Sequence, residues 1–169
     1  HWMPAGLWGW FLHLGCIFVP TVFLHFAVRL CHYKYGGLFL LRLAYLGAVV
    51  FVLLNTFTIL FTDGTIYRDY YAYPKPAVLY PLYILFFQAI GMWSTFLIFE
   101  WGRKLNARSR RMIYLFLLVH ILAYIGSMDN FLIMYEIRIS PLYPYGLYMI
   151  LPYVVLGSYA VLRLKENGA

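Results

Sequence analysis

The residues able to do chemistry are few and widely spaced, and two histidines form the sharpest pair. At helical rise, His25 lies about 8 Å from one end of the apolar run that carries it, and His120 about 13 Å from the matching end of its own run. Similar depth on two helices is what bis-histidine haem ligation requires, and a single imidazole suffices for the magnesium of a chlorophyll-type pigment. Gly126 and Ala123 near His120 leave modest room for a macrocycle. His25 and His120 are therefore the cofactor-binding candidates. The ordinary alternative is that each imidazole bonds to a neighbouring carbonyl or hydroxyl, as buried polar groups do.

A second set is polar rather than metal-binding. Asp129 stands beside Ser127 and Asn130, Asn55 beside Thr56 and near Thr58, and His13 at a comparable depth near the opposite end of the first apolar run. Gln88 is deeper, about 14 Å into the third run. Ionisable and polar groups inside apolar segments are the default functional candidates. Asp129, Asn55, His13 and Gln88 together could line a ligand-binding pocket open to one side; interhelical hydrogen bonding is the competing role for the same residues. His13 and Cys16, three residues apart, are too small a set to define a metal site. The chain has no phosphate-binding glycine loop, no paired CxxC and no nucleophile elbow, so neither catalytic residues nor enzymatic activity is expected.

Composition dictates what must position these groups. Of 169 residues, 64% are hydrophobic and 11% charged, against about 45–50% and roughly 25% for a soluble domain. A globule of this length cannot hide so much apolar surface, so the natural solvent is lipid. The expected fold is an all-α integral membrane protein forming one bundle of about five transmembrane helices. The apolar runs long enough to span cover roughly 8–30, 38–61, 79–101, 112–131 and 143–164. Pro74-Lys75-Pro76 and Pro141 to Pro144 lead into the third and fifth, where proline is tolerated. Pro20 and Pro152 fall inside spans and are candidate kinks.

Charge sets the expected orientation. Arg29, Lys34, Arg42, Arg103, Lys104, Arg108, Arg110, Arg111, Arg163 and Lys165 fall on one side; Arg68, Lys75 and Arg138 fall on the other, which accounts for all thirteen basic residues. The positive-inside rule then puts the N-terminus outside and the C-terminus in the cytoplasm. The net charge of +7 is explained by these loop clusters, so no nucleic-acid partner is expected. The run from Arg103 to Arg111 attracts anionic lipid at about 1 kcal/mol per basic residue, making membrane lipids the first expected partner. Tyr67, Tyr70, Tyr71, Tyr73, Tyr80, Tyr143 and Tyr145 read as interfacial anchors. Glu100 reads as an ion-pair partner for Arg103 or Lys104 at a span end. Cys16 and Cys31, about 22 Å apart on one helix, cannot form a disulfide. The chain begins at His1 without a charged n-region and cleavage site, so a signal peptide is not expected, and a processed or incomplete N-terminus is. No span carries a mid-depth carboxylate, which leaves a pump or transporter without support. Ala44 with Ala48, Gly91 with Thr95 and Ala123 with Ser127 are small-residue pairs suited to close helix packing.

The stretch Asp129-Asn-Phe-Leu-Ile-Met-Tyr-Glu-Ile-Arg-Ile-Ser-Pro-Leu-Tyr-Pro-Tyr-Gly146, followed by a final run ending Ala160-Val-Leu-Arg163, resembles the end of the seven-helix membrane input region of bacterial sensor histidine kinases. Phe18-Val-Pro20-Thr-Val-Phe-Leu-His25-Phe26 is similar to the proline-to-His-Phe pattern on the third helix of that family, and Arg110-Arg111 matches its basic start to a later helix. The resemblance covers helices three to seven and implies a bacterial inner-membrane location with the last helix emerging into the cytoplasm. Ile133 stands where the family often has proline, and no kinase module follows Lys165. Two functions follow as expectations. The first is a non-catalytic subunit that packs against and stabilises a larger respiratory or photosynthetic membrane complex. The alternative is a sensory input region binding a ligand from the outer side. A haem- or pigment-binding subunit is a third.

Overall fold

The computed structural model describes residues 5–33, 35–68, 71–137, 148 and 150–166. Seven elements follow in order: α1 (Ala5–Leu30), α2 (Tyr35–Phe57), β1 (Thr62–Arg68), β2 (Tyr71–Pro76), α3 (Tyr80–Gly102), α4 (Ala107–Met134) and α5 (Ile150–Glu166). Among the described residues four helices are long and apolar enough to cross a membrane: the segments His13–Leu30, Gly36–Phe57, Tyr80–Gly102 and Ala107–Met134. The fifth expected span is only partly described. The α5 helix has 17 residues, about 25 Å of rise against a hydrocarbon core of about 30 Å. The expected start at Tyr143 lies outside the described residues.

The chain divides into two compact units, residues 1–94 and 95–169, with α3 contributing to both. In the first unit α1 and α2 are neighbours and both strands of the hairpin lie against α1. The α1–α2 turn is sharp because the chain reverses at His32, whose φ of 51° is left-handed. There the backbone N–H of Tyr33 donates to Val28 O at 3.1 Å and that of His32 to Arg29 O at 3.3 Å, the paired bonds of a Schellman helix end. Gly37 then allows α2 to start tightly: a Cβ there would stand 2.6 Å from the Tyr33 ring and 3.2 Å from Val28. Further along, Ala44 and Ala48 are fully buried, and Thr21 Oγ1 donates to the Ala44 carbonyl at 3.3 Å. Small residues thus bring a polar side chain of α1 within reach of the α2 backbone. α1 continues as one helix through the buried Pro20.

The fold departs from the all-α expectation between α2 and α3. Pro74 and Pro76 belong to strand β2, not to a helix start. β1 and β2 pair antiparallel with Thr65 opposite Pro74, Ile66 opposite Tyr73 and Tyr67 opposite Ala72, and with an irregularity between Thr62 and Thr65. Gly64 supplies the positive φ of 80° at that irregularity. A two-stranded ribbon has a free edge on each strand, so prolines lacking an N–H are tolerated there. The α2 helix consequently ends at Phe57, four residues before the expected boundary at Phe61. Thr58 closes it, its Oγ1 donating to Leu54 O at 2.7 Å and accepting from Leu60 N at 3.2 Å.

In the second unit α4 packs on α5. Asn106 starts α4 by accepting from Ser109 N at 2.9 Å, an N-cap bond, so the helix begins five residues ahead of the expected Met112. Glu136 ends it with a left-handed φ of 65°, the same reversal as at His32. Pro152 lies in the first turn of α5, where a missing N–H costs nothing.

Candidate functional site

The hairpin base and the neighbouring helix ends assemble a compact cluster of rings and polar groups in the first unit. Its centre is Phe61, fully buried. It lies 5.2 Å from the Tyr80 ring, 5.4 Å from Tyr83, and 6.0 Å from both Phe51 and His13. These are the offset and edge-on separations that aromatic pairs prefer. The backbone holds Phe61 in place: its carbonyl accepts from Ala77 N at 3.0 Å, and the Leu60 carbonyl from Leu79 N at 2.9 Å. Phe61 therefore sits where the end of α2, the hairpin and the start of α3 are tied together.

Two polar contacts flank that ring. His13 Nε2 and the Tyr80 hydroxyl are 2.7 Å apart, both residues buried; which of them donates follows from the imidazole tautomer. Asn55, one turn beyond Phe51 on α2 and only 6% exposed, accepts at Oδ1 from Thr62 Oγ1 at 3.3 Å. Its Nδ2 is buried with no hydrogen-bond partner. A buried amide N–H left unpaired costs about 1–3 kcal/mol, so this donor marks a place where an acceptor belongs.

Of the four residues expected to bind a ligand, the structure brings two to this cluster, His13 and Asn55. Gln88 lies eight residues beyond Tyr80 on α3, about 12 Å further along the axis, and is half-buried there. Asp129 lies on α4 in the second unit, and its side chain is outside the described residues, as is that of Asn130. The participants the sequence reading missed are Phe61, Thr62, Tyr80 and Tyr83. Phe61 falls at the end of the expected second span and Tyr80 among the expected interfacial anchors. The signal available was Thr62-Asp63-Gly64-Thr65, a turn-prone and β-branched stretch set directly after an apolar helix.

The two cofactor candidates belong to different units. His25 is engaged at both ring nitrogens, with Nδ1 3.0 Å from the Tyr45 hydroxyl and Nε2 accepting from Arg29 Nε at 3.4 Å. Because Nε2 accepts, the proton sits on Nδ1 and donates to Tyr45. An iron or magnesium ion would have to displace one of these partners. His120 is buried among rings: parallel to Phe116 at 6.2 Å, and 6.0 and 5.4 Å from Tyr124 and Tyr153. Among the described residues no three His, Cys, Asp or Glu side chains come together in a way that could hold a metal ion. Glu100 accepts from Arg103 at 3.0 Å, the ion pair expected at that helix end. Comparison of the chain with protein-family models, curated proteins and solved structures found no match.

Proposed function

We propose that the chain is the membrane-embedded input part of a receptor: a non-enzymatic, multi-pass helical protein of the bacterial cytoplasmic membrane that binds a small ligand beneath the hairpin. One observation carries this reading. Asn55 is buried at the edge of a ring cluster with an amide donor that no protein group satisfies, beside the His13–Tyr80 contact. Phe61 is tied to the ends of two helices at once, so a shift there pulls on both, which is how helix displacements carry signals between sites. The resemblance to the seven-helix input region of sensor kinases supports the same reading. Under it, the hairpin faces outward and the α3–α4 turn, with its arginines, faces the cytoplasm.

The second reading, a non-catalytic subunit of a larger complex, is favoured by one surface. Phe39, Leu46 and Phe57 on α2 are 65%, 61% and 76% exposed, and a partner helix covers such a face as readily as lipid does. Extraction from the native membrane in a gentle detergent, with native mass spectrometry and an absorption spectrum, separates the two. A colourless chain, free or within a longer polypeptide and without fixed partners, is expected for the receptor. Co-migration in constant ratio with a larger complex refutes it. Haem or pigment bands lost in His25→Ala or His120→Ala would assign those histidines to a cofactor. For orientation, a cysteine placed at Asp63 should react with a membrane-impermeant maleimide in intact cells, and one at Arg108 should not.

A further inference from the structure

We infer that Phe61 is a built-in plug, standing where an uncharged, ring-shaped ligand carrying a carbonyl-type acceptor binds. The inference rests on the receptor reading and names the ligand class for the same site.

The position Phe61 fills is ring-sized and walled by rings: Phe51, Tyr80, Tyr83 and the His13 imidazole surround it at 5.2–6.0 Å. A second aromatic body would find the same edge-on and tilted faces there. The polar groups described at its edge are an amide, two hydroxyls and an imidazole. Asn55 keeps a spare N–H, Thr62 already donates to the same side chain, and His13 and Tyr80 are bonded to each other. Among the described contacts of the cluster none is with a carboxylate, ammonium or guanidinium; the nearby ion pair, Asp63 with Lys75 at 3.8 Å, is more than half exposed on the hairpin. A charged ligand would be desolvated there without compensation. An acceptor oxygen on a neutral ring would complete the Asn55 amide, whose Nδ2 is buried with no hydrogen-bond partner.

Phe61 is also placed to leave. It belongs to no helix or strand, but to the short connection between α2 and β1, and its carbonyl bond to Ala77 is part of the hairpin base. A ligand ring that takes its place therefore releases the hairpin. Occupancy becomes loss of backbone order in β1 and β2.

The test uses the whole chain in lipid nanodiscs with two probes of nearly equal shape, acetophenone and ethylbenzene, at matched concentrations in the bilayer. Hydrogen exchange of the hairpin amides is the readout. Wild-type protein should respond saturably to acetophenone, with about fivefold preference over ethylbenzene, the discrimination that one ordinary hydrogen bond supplies. Phe61→Ala, where no plug is left to release the hairpin and binding is read instead by ligand-detected NMR titration, should bind both probes at least about tenfold more tightly, since no plug competes. Asn55→Leu should bind both equally. If Phe61→Ala fails to fold, Phe61→Leu, which keeps bulk but not the ring, should show the same direction. Wild-type protein that binds neither probe, while Phe61→Ala binds both without preference, would show a merely engineered cavity and overturn the plug. A preference that survives in Asn55→Leu would mean that the Asn55 amide serves a bound water only, and overturns the acceptor assignment. These failures leave the receptor reading standing, whereas a fixed-ratio complex in the native membrane rejects that reading whatever the probes do.

Discussion

Gly102 offers a sharp test of how the second unit is packed. It is the last residue of α3, and a Cβ built on it would stand 2.6 Å from Ile113 Cγ2 and 3.4 Å from Ile113 Cβ. Ile113 is fully buried, and a β-branched side chain on a helix is held to one χ1 rotamer, so the methyl group has nowhere to swing. Forcing an extra methyl into such a contact costs about 1–3 kcal/mol. Alanine recovers at most about 1 kcal/mol of helix propensity over glycine, and less at a helix end. Gly102→Ala should therefore lose about 1–2 kcal/mol on balance. Gly157 on α5 is the control: its added Cβ would meet Phe116 and Tyr153 at 3.6 Å, ordinary contact, so propensity wins and Gly157→Ala should be neutral or up to about 1 kcal/mol more stable. Thermal unfolding in detergent, followed by helical circular dichroism, reads both, at about 2–4 °C per kcal/mol for a chain of this size. Ile113→Ala removes the obstructing methyl, so adding Gly102→Ala to it should cost nothing further, a non-additivity that a double-mutant cycle resolves. A Gly102→Ala melting point at or above wild type, or an equal cost in both backgrounds, would refute the close approach of α3 to α4.

Other consequences are open to direct measurement. His32 and Glu136 each hold a left-handed φ that a side chain resists by about 1–2 kcal/mol; His32→Gly and Glu136→Gly should each raise the melting point, and a fall in either would contradict the Schellman geometry. Tyr80→Phe deletes the hydroxyl 2.7 Å from His13 and should cost about 0.6–1.7 kcal/mol in a membrane protein, with no loss of helix content; an unchanged melting point would count against the contact. Burial pushes the Cys31 thiol up to about 11. It disfavours the thiolate, so alkylation near neutral pH should run about a hundredfold slower than at an ordinary thiol and rise about tenfold per pH unit until pH 10. A rate already flat above pH 9 would show an unshifted thiol.

The helices were legible to within a few residues at most ends. Leu30 ends α1 as expected, and α3 is displaced by only one residue at each end from the expected span, because an apolar run needs only its own composition to announce itself. α2 and α4 missed by more, and for local reasons: the hydroxyl of Thr58 stops one, and the amide of Asn106 starts the other five residues early among arginines that a hydropathy window discounts. The hairpin was hidden by its tyrosines and prolines, which an interfacial loop explains equally well. Only pairing across the ribbon decides between the two.

The sequence by itself determined the solvent. A chain 64% hydrophobic and 11% charged, broken into runs long and apolar enough to span, points to lipid, and that reading needs no knowledge of which residues touch. It also marked His13 and Asn55 as polar groups in apolar company. Only the tertiary structure decided what those groups do, because a hydrogen bond depends on partners distant in the chain. His13 meets Tyr80 across sixty-seven residues of sequence, and His25 is taken by Tyr45 and Arg29. Asn55 is left with a donor to spare because Thr62 reaches only its carbonyl oxygen. Hydrophobicity is additive along a chain and can be read locally. The satisfaction of a buried polar atom is a property of the folded neighbourhood.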